Sequence, residues 1–329
     1  MDKFPKEKIS IVLQGGCVTD TKEVILSLQK LFPEAELILS TWENSDVSNL
    51  PTDKVIFSTD PGAIYCDKIS GTLNNVNRQL VSTKAGIAAA TRPFILKTRT
   101  DILFRDTKFL EYWGKYDDLP SLFLGNRLLI CNYYTRNPRI FNTCFHPSDW
   151  IMFGRAEDIR AYYNGISLMS DEDGIWFRNH PKASTFFTNY LCRYTPEQHI
   201  FLSFLRQKQC VNCSCYYDHT PGLIEGTERV FAECFVVLDY QKQLGITFPK
   251  YDPNRYFEKH TLISHWQWKA LYMHYCRKQQ SILWYLYLSR SYLFCFLGRL
   301  RTICVLILDR LNLKETVKKI LSTKQKKQH

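Results

Sequence analysis

The 329-residue chain predicts an α/β fold with a mostly parallel central sheet flanked by helices, and three observations carry that prediction. Short apolar runs of strand length alternate with segments of helical period from Ile9 to Asp101. Each run closes on polar, Gly or Pro signals that stop a strand. One run, Phe94-Ile95-Leu96, passes directly into Lys97, Arg99 and Asp101. Alternating strands and helices imply right-handed crossovers, so the strand ends collect along one rim of the sheet. Ligands of open α/β sheets bind just beyond that rim.

Ile9 to Leu13 is the first strand and leads into Gln14-Gly15-Gly16. Thr21 to Leu31 has helical spacing through Val24, Ile25, Leu28 and Leu31. Glu36 to Ser40 is the second strand, closed by Thr41-Trp42-Glu43. The third, Val55 to Ser58, ends in the turn Thr59-Asp60-Pro61-Gly62. A helix over Asn75 to Ala90 and a strand over Pro93 to Lys97 follow. Beyond Asp101 the pattern loosens. Ser121 to Ile130 reads as a strand interrupted at Gly125-Asn126. His146 to Gly154 reads as a loop feeding a strand, with a helix from Ala156. Thr195-Pro196-Glu197-Gln198 is a helix start, with Thr as cap and Pro at the first position. Val211 to Tyr240 reads as β-rich or irregular. The expected organisation is a donor-binding half over 1–105, an acceptor and catalytic half of the same domain over 106–275, and a C-terminal helical extension over 276–329.

The net charge of +11 is compatible with nucleic acid, a membrane surface or an anionic small substrate. Its distribution argues against nucleic acid. Arg310, Lys314, Lys318, Lys319, Lys324, Lys326 and Lys327 face only Glu315 in the last stretch, so much of the excess sits in a tail. No nucleic-acid module is recognisable. G-x-G-x-x-G and Walker A patterns are both missing, which excludes a dinucleotide fold and an ATPase. Aromatics at 14% suit either sugar stacking or a ring-rich core beside a membrane-facing segment. From Ser281 to Leu308 apolar runs are broken by Arg290, Arg299 and Arg301, too often for a spanning helix. That stretch reads as an interfacial helix with a basic tail for anionic lipid, against a pair of ordinary packing helices. MDKFPKEK has no apolar h-region, so reduced thiols in a cytoplasm are expected for the 12 cysteines. Cys210, Cys213 and Cys215 with His219 are a candidate zinc set, structural thiols being the simpler reading. His260 and His265 are either later metal ligands or part of an aromatic belt with Trp266 and Trp268.

In a parallel sheet Gln14-Gly15, Thr41-Trp42, Asp60 and Arg99-Thr100-Asp101 share one rim. The helix between them presents Asn75, Asn77, Arg78 and Gln79 in its first turn, where amides and dipole favour an anion. Asp101 is a candidate ligand for a hard cation, Mn²⁺ or Mg²⁺, bridging a diphosphate. Lys97, Arg99 and Arg78 are candidate phosphate cations. For each there is a plain structural alternative: Arg99 pairing with Asp101, Asn75 as a cap.

The blocks ISIVLQG, FPEAELILSTWE, STDPG, NNVNRQLVSTKAGI and ILKTRTDILF, followed by HPSDWIMFG and TPEQHIF, together resemble the WavE family of lipopolysaccharide-synthesis proteins over roughly residues 8–270. The resemblance implies a GT-A-like glycosyltransferase that uses a nucleotide-sugar donor to build bacterial surface polysaccharide on a glycan or lipid-linked acceptor. With the interfacial helix and basic tail read above, the expected location is peripheral, on the inner face of the bacterial cytoplasmic membrane. Asp101 then stands at the metal-binding D-x-D position, though the motif here is Arg99-Thr100-Asp101. Inverting transfer also needs a base on the acceptor hydroxyl, for which Asp149 and Glu197 are the candidates. Asp171-Glu172-Asp173-Gly174 reads as a turn cap. The competing readings are a capsular sugar-phosphate transferase and a non-catalytic nucleotide-sugar-binding scaffold.

Overall fold

The computed structural model describes residues 4–67, 72–181, 192–209, 211–248 and 257–310. A seven-stranded, mostly parallel sheet runs through the molecule with helices on both faces and a long helix at the C-terminal end. In chain order the elements are β1 (Ile9–Gln14), α1 (Thr21–Leu31), β2 (Glu36–Trp42), β3 (Lys54–Ser58), β4 (Ile64–Asp67), β5 (Thr72–Asn74), α2 (Val76–Ala89), β6 (Phe94–Arg99) and β7 (Leu103–Phe104). There follow β8 (Leu128–Cys131), β9 (Met152–Arg155), α3 (Ala156–Tyr163), α4 (Asp171–Gly174), α5 (Trp176–Asn179), α6 (Pro196–Arg206), α7 (Pro221–Cys234), β10 (Phe235–Leu238), β11 (Ile246–Thr247), α8 (His265–Leu271) and α9 (Ile282–Arg310).

The strand order is β10-β8-β9-β6-β1-β2-β3. β1 is an interior strand beside the central β6 and is buried along its whole length, which explains its nearly continuous apolar run. It pairs in parallel with β2 and β6, placing Gln14 beside Ser40 and Arg99. Helix α2 crosses this centre closely. A Cβ on Gly86 would stand 2.4 Å from Val12 Cγ1, so only glycine permits the approach. β9 is antiparallel to both neighbours, with Lys97 opposite Met152. Its amino end therefore lies at the same rim as the carboxyl ends of β1, β2, β3, β6, β8 and β10.

Three expectations are corrected. The strand read over Ser121–Ile130 is only β8, because the Gly125 and Asn126 amides are tied to the Asp158 carboxylate instead of to a ladder. The stretch read as β-rich holds helix α7, capped by Thr220 with Pro221 at its start. Its buried Thr227, Val230, Phe231 and Cys234 recur at helical spacing. Thiols are not all reduced: Cys66 and Cys192 form a disulfide joining the β4–β5 hairpin to the approach to α6. The C-terminal stretch is one helix, α9, and no helix among the described residues is long and apolar enough to cross a membrane.

Candidate functional site

The rim begins with the backbone of Gly15 and Gly16. Gly15 sits at φ +118°, a conformation that glycine adopts without strain, and its amide donates to Ser40 O at 3.0 Å. Thr100 Oγ1 donates to Gly16 O at 2.8 Å, and the Trp42 indole lies against Gly16. Gln14 and Thr41 are buried behind this surface. Gln14 accepts from Ser82 Oγ, and Thr41 Oγ1 shares a hydrogen bond with Ser45 Oγ. These residues form a floor of backbone and aromatic ring.

Next along the rim, Arg99 binds both carboxylate oxygens of Asp101 in a fork, at 2.8 and 2.7 Å. The guanidinium also lies 4.4 Å over the Trp150 ring and keeps 27% of its side-chain surface open to solvent. Trp150 stacks on Tyr134 at 5.2 Å, and Tyr133, Tyr240 and Phe248 close the aromatic wall. Tyr134 holds φ 69°, uncommon for a residue with a side chain. A planar cation on a ring wall suits a phosphate-bearing ligand with a sugar face to stack.

Beneath the wall, just ahead of β9, is Asp149. Gln79 of α2 donates its side-chain amide to one Asp149 carboxylate oxygen, and Lys97 donates its ammonium to the Asp149 main-chain carbonyl. Lys97 is fully buried, and desolvation draws its pKa down to about 8. Glu197, in the first turn of α6, is held by a capping box between Thr195 and Gln198. Its carboxylate stands 3.5 Å from His146 Nε2, within ion-pair reach. Burial nonetheless drives both groups toward their neutral forms. Burial pushes Glu197 up to about 8, with the nearby Asp149 charge adding to it, and burial drives His146 down to about 3. His146 Nδ1 donates to Tyr134 O at 2.9 Å, which leaves its Nε2 lone pair facing Glu197.

The remaining candidates lie elsewhere. Arg78 binds both Asp60 carboxylate oxygens and Asn75 Oδ1, forming a second, exposed cluster on the β3 side. The Arg78 guanidinium holds the Asp60 carboxyl below its usual range. Asn77 is buried and clamps both main-chain groups of Met169. Thus Gln79, Lys97, Arg99, Asp101 and Asp149 are brought together. The side chains of Asp60, Asn75 and Arg78 bond to one another instead, and the Lys97 and Asn77 side chains are engaged inside the protein.

Among the described residues no group of three His, Cys, Asp or Glu is arranged to hold a metal ion. Cys213 and Cys215 are buried, His219 Nε2 is bonded to Pro138 O at 2.5 Å, and Cys210 lies outside the described residues. His265 donates from Nδ1 to Val237 O and stacks on Trp268, while His260 stacks on Phe294. Asp173 accepts no role at the rim: it pairs with Arg193 beside the Ser170 cap.

Trp150, Tyr134 and His146 were not among the candidates read from sequence. The first two do follow apolar runs or sit within HPSDW at a strand boundary, a signal that strand-end rings could have supplied. His146 opens the same HPSDW block, but what sets its role is Glu197, 51 positions away on another element, which the block does not reveal. A comparison with curated proteins finds no match. The family model described as WavE lipopolysaccharide synthesis matches residues 9–302, nearly the whole chain, and the protein belongs to that family.

Proposed function

We propose that the chain is a glycosyltransferase with a GT-A-like sheet, moving a sugar from a nucleotide-sugar donor onto a growing lipopolysaccharide or capsular glycan. One observation carries the reading: the accessible Arg99 guanidinium lies on Trp150, the residue immediately after Asp149. A phosphate cation and a candidate base thus flank one ring at the rim where α/β sheets bind ligands. In the proposed reaction Asp149 takes the proton of the acceptor hydroxyl as its oxygen bonds to the anomeric carbon. The bond from that carbon to the donor phosphate breaks, and Arg99 stabilises the charge that develops on the leaving group. Trp150 and Tyr134 supply the stacking surface for a sugar or base. Gln79 and Lys97 position Asp149 from below.

Asp149 fits the base role better than Glu197. Burial raises Glu197 to about 8, so its carboxyl already carries a proton at neutral pH and cannot take one from the acceptor. The residues do not fit a resident divalent ion, because both oxygens of the one carboxylate at the D-x-D position are taken by Arg99. No step is therefore routed through a metal, and Arg99 carries the electrostatic role.

Thermal-shift screening of the purified chain against UDP, GDP, CMP and their sugars tests the reading. A selective stabilisation that Arg99→Ala removes, followed by release of nucleoside diphosphate from a UDP- or GDP-sugar with acceptor, is the expected outcome. Release of nucleoside monophosphate from those donors would mean sugar-phosphate transfer. Binding with no turnover across acceptors would point to a scaffold.

A further inference from the structure

Helix α9 runs 29 residues, about 43 Å at 1.5 Å per residue. One face is docked. Tyr287 is fully buried and donates to Glu228 at 2.5 Å, Asn137 donates to Ser291 Oγ at 3.3 Å, and Trp284 stacks on His274 at 3.8 Å. Phe294, stacked on His260, is the last ring seated against the body in this way. At 100° per residue these anchors share one side of the helix. The opposite side carries Leu286, Leu293, Phe296, Leu300, Ile303 and Ile307, all exposed, with Phe296 at 59%. Together with Tyr285 and Tyr292 they form an apolar stripe roughly 120° wide, broader than the seam of a two-stranded coiled coil.

Its borders are cationic. The same 100° step places Arg290 and Arg301 along one border and Arg299 and Arg310 along the other. Asp309 is the one acidic residue between Ile282 and Arg310. The 19 residues after Arg310 add six lysines against Glu315. Two copies of this helix laid stripe to stripe would bring arginine borders together, a like-charge arrangement that disfavours a homodimer. An anionic lipid surface satisfies both features at once: acyl chains accept the stripe while arginine stems lie along it and their heads reach phosphates.

We propose that the distal part of α9 lies in the interface of an anionic bilayer and holds the protein there, independently of what the rim binds. The test is flotation of the full chain with phosphatidylcholine vesicles, with and without phosphatidylglycerol. The wild type is expected to float with the anionic vesicles only, and to lose binding as salt rises. Replacing Leu293, Phe296 and Leu300 together by Glu should abolish flotation while leaving the melting temperature unchanged, since none of the three is buried. Arg299→Glu with Arg310→Glu should weaken binding to anionic vesicles without touching the stripe. The proposal is overturned if the triple variant floats like the wild type, if neutral and anionic vesicles bind equally, or if no vesicle binds. It is also overturned if sedimentation shows a dimer that the triple substitution dissolves with no vesicle binding at all, which would assign the stripe to a second copy.

Discussion

Gln79, in the first turn of α2, donates a hydrogen bond to the carboxylate of Asp149 across 70 residues of chain. The bond fixes where the second carboxylate oxygen points, and Lys97 holds the adjacent main chain from below. If Asp149 is the base, Asp149→Asn should lower kcat by about 10²–10⁴-fold with donor affinity nearly intact. Gln79→Leu leaves the carboxylate present but loose, and should cost about tenfold in kcat with little change in KM. Steady-state kinetics on both variants check this. An Asp149→Asn enzyme with wild-type kcat would remove Asp149 from the mechanism.

Arg99 makes a fork to Asp101 and a stack on Trp150, and lysine can reproduce neither. Arg99→Lys should therefore weaken donor binding by about tenfold or more, the loss of a charge-assisted bidentate contact. Asp101→Asn frees the guanidinium from its carboxylate and should change donor affinity without abolishing it. Titration calorimetry with donor reads both. If Arg99 supplies the charge, as proposed, turnover should persist in excess EDTA. Activity lost to EDTA and restored by Mn²⁺ would overturn that assignment and return Asp101 to metal ligation.

Much of this rim was legible in the sequence because strands announce their own ends. Phe94-Ile95-Leu96 is apolar through its buried length and turns charged where the sheet stops, and the structure keeps Arg99 and Asp101 there. The antiparallel strand β9 was not legible as such. Its four residues carry no mark of direction, and only pairing of Lys97 with Met152 shows that Asp149 and Arg99 share a rim. Helix α7 was missed although Thr220-Pro221 repeats the signal of Thr195-Pro196, because Gly222 and Gly226 dilute its helical period. The pairing of Glu197 with His146 is a matter of burial and tertiary approach, which periodicity does not encode.

Glu228 is fully buried and accepts from Arg139 on both oxygens, from Tyr275 and from Tyr287. It ties α7, the loop at Arg139 and the root of α9 to one carboxylate. Glu228→Ala would leave the guanidinium and the Tyr275 hydroxyl without this acceptor and the Tyr287 hydroxyl with Asn137 Oδ1 at 3.3 Å, at a cost of about 3–5 kcal/mol. Tyr287→Phe removes one charge-assisted bond and should cost about 1.5–3 kcal/mol. Urea unfolding gives both values from the midpoint shift at constant slope. A neutral Glu228→Ala variant would show that α9 is not anchored through this group.

The neutral pair of Glu197 and His146 gives stability a defined pH dependence. Glu197 has its pKa raised from 4.5 to about 8, so the folded state holds a proton that the unfolded chain releases above 4.5. Its contribution is complete below that value and is lost as pH rises toward 8. His146 has its pKa lowered from 6.5 to about 3, so the unfolded chain gains a proton the folded state refuses. Its contribution is complete above 6.5 and is lost as pH falls toward 3. Between 4.5 and 6.5 the two slopes oppose each other. Lys97, lowered from 10.5 to about 8, takes up the opposite slope only as pH rises beyond 8. From pH 6.5 to 8, then, Glu197 acts alone and stability should fall by an amount on the order of 1–2 kcal/mol, at 1.36 kcal/mol per pH step for one proton. Glu197→Gln keeps an uncharged side chain of the same shape beside His146 at every pH. It should flatten that decline and leave the variant more stable than the wild type at pH 8. Melting temperatures of the two proteins across pH 6.5–8 decide it: parallel curves would mean that Glu197 is already ionised in the folded protein, and it would then compete with Asp149 for the base.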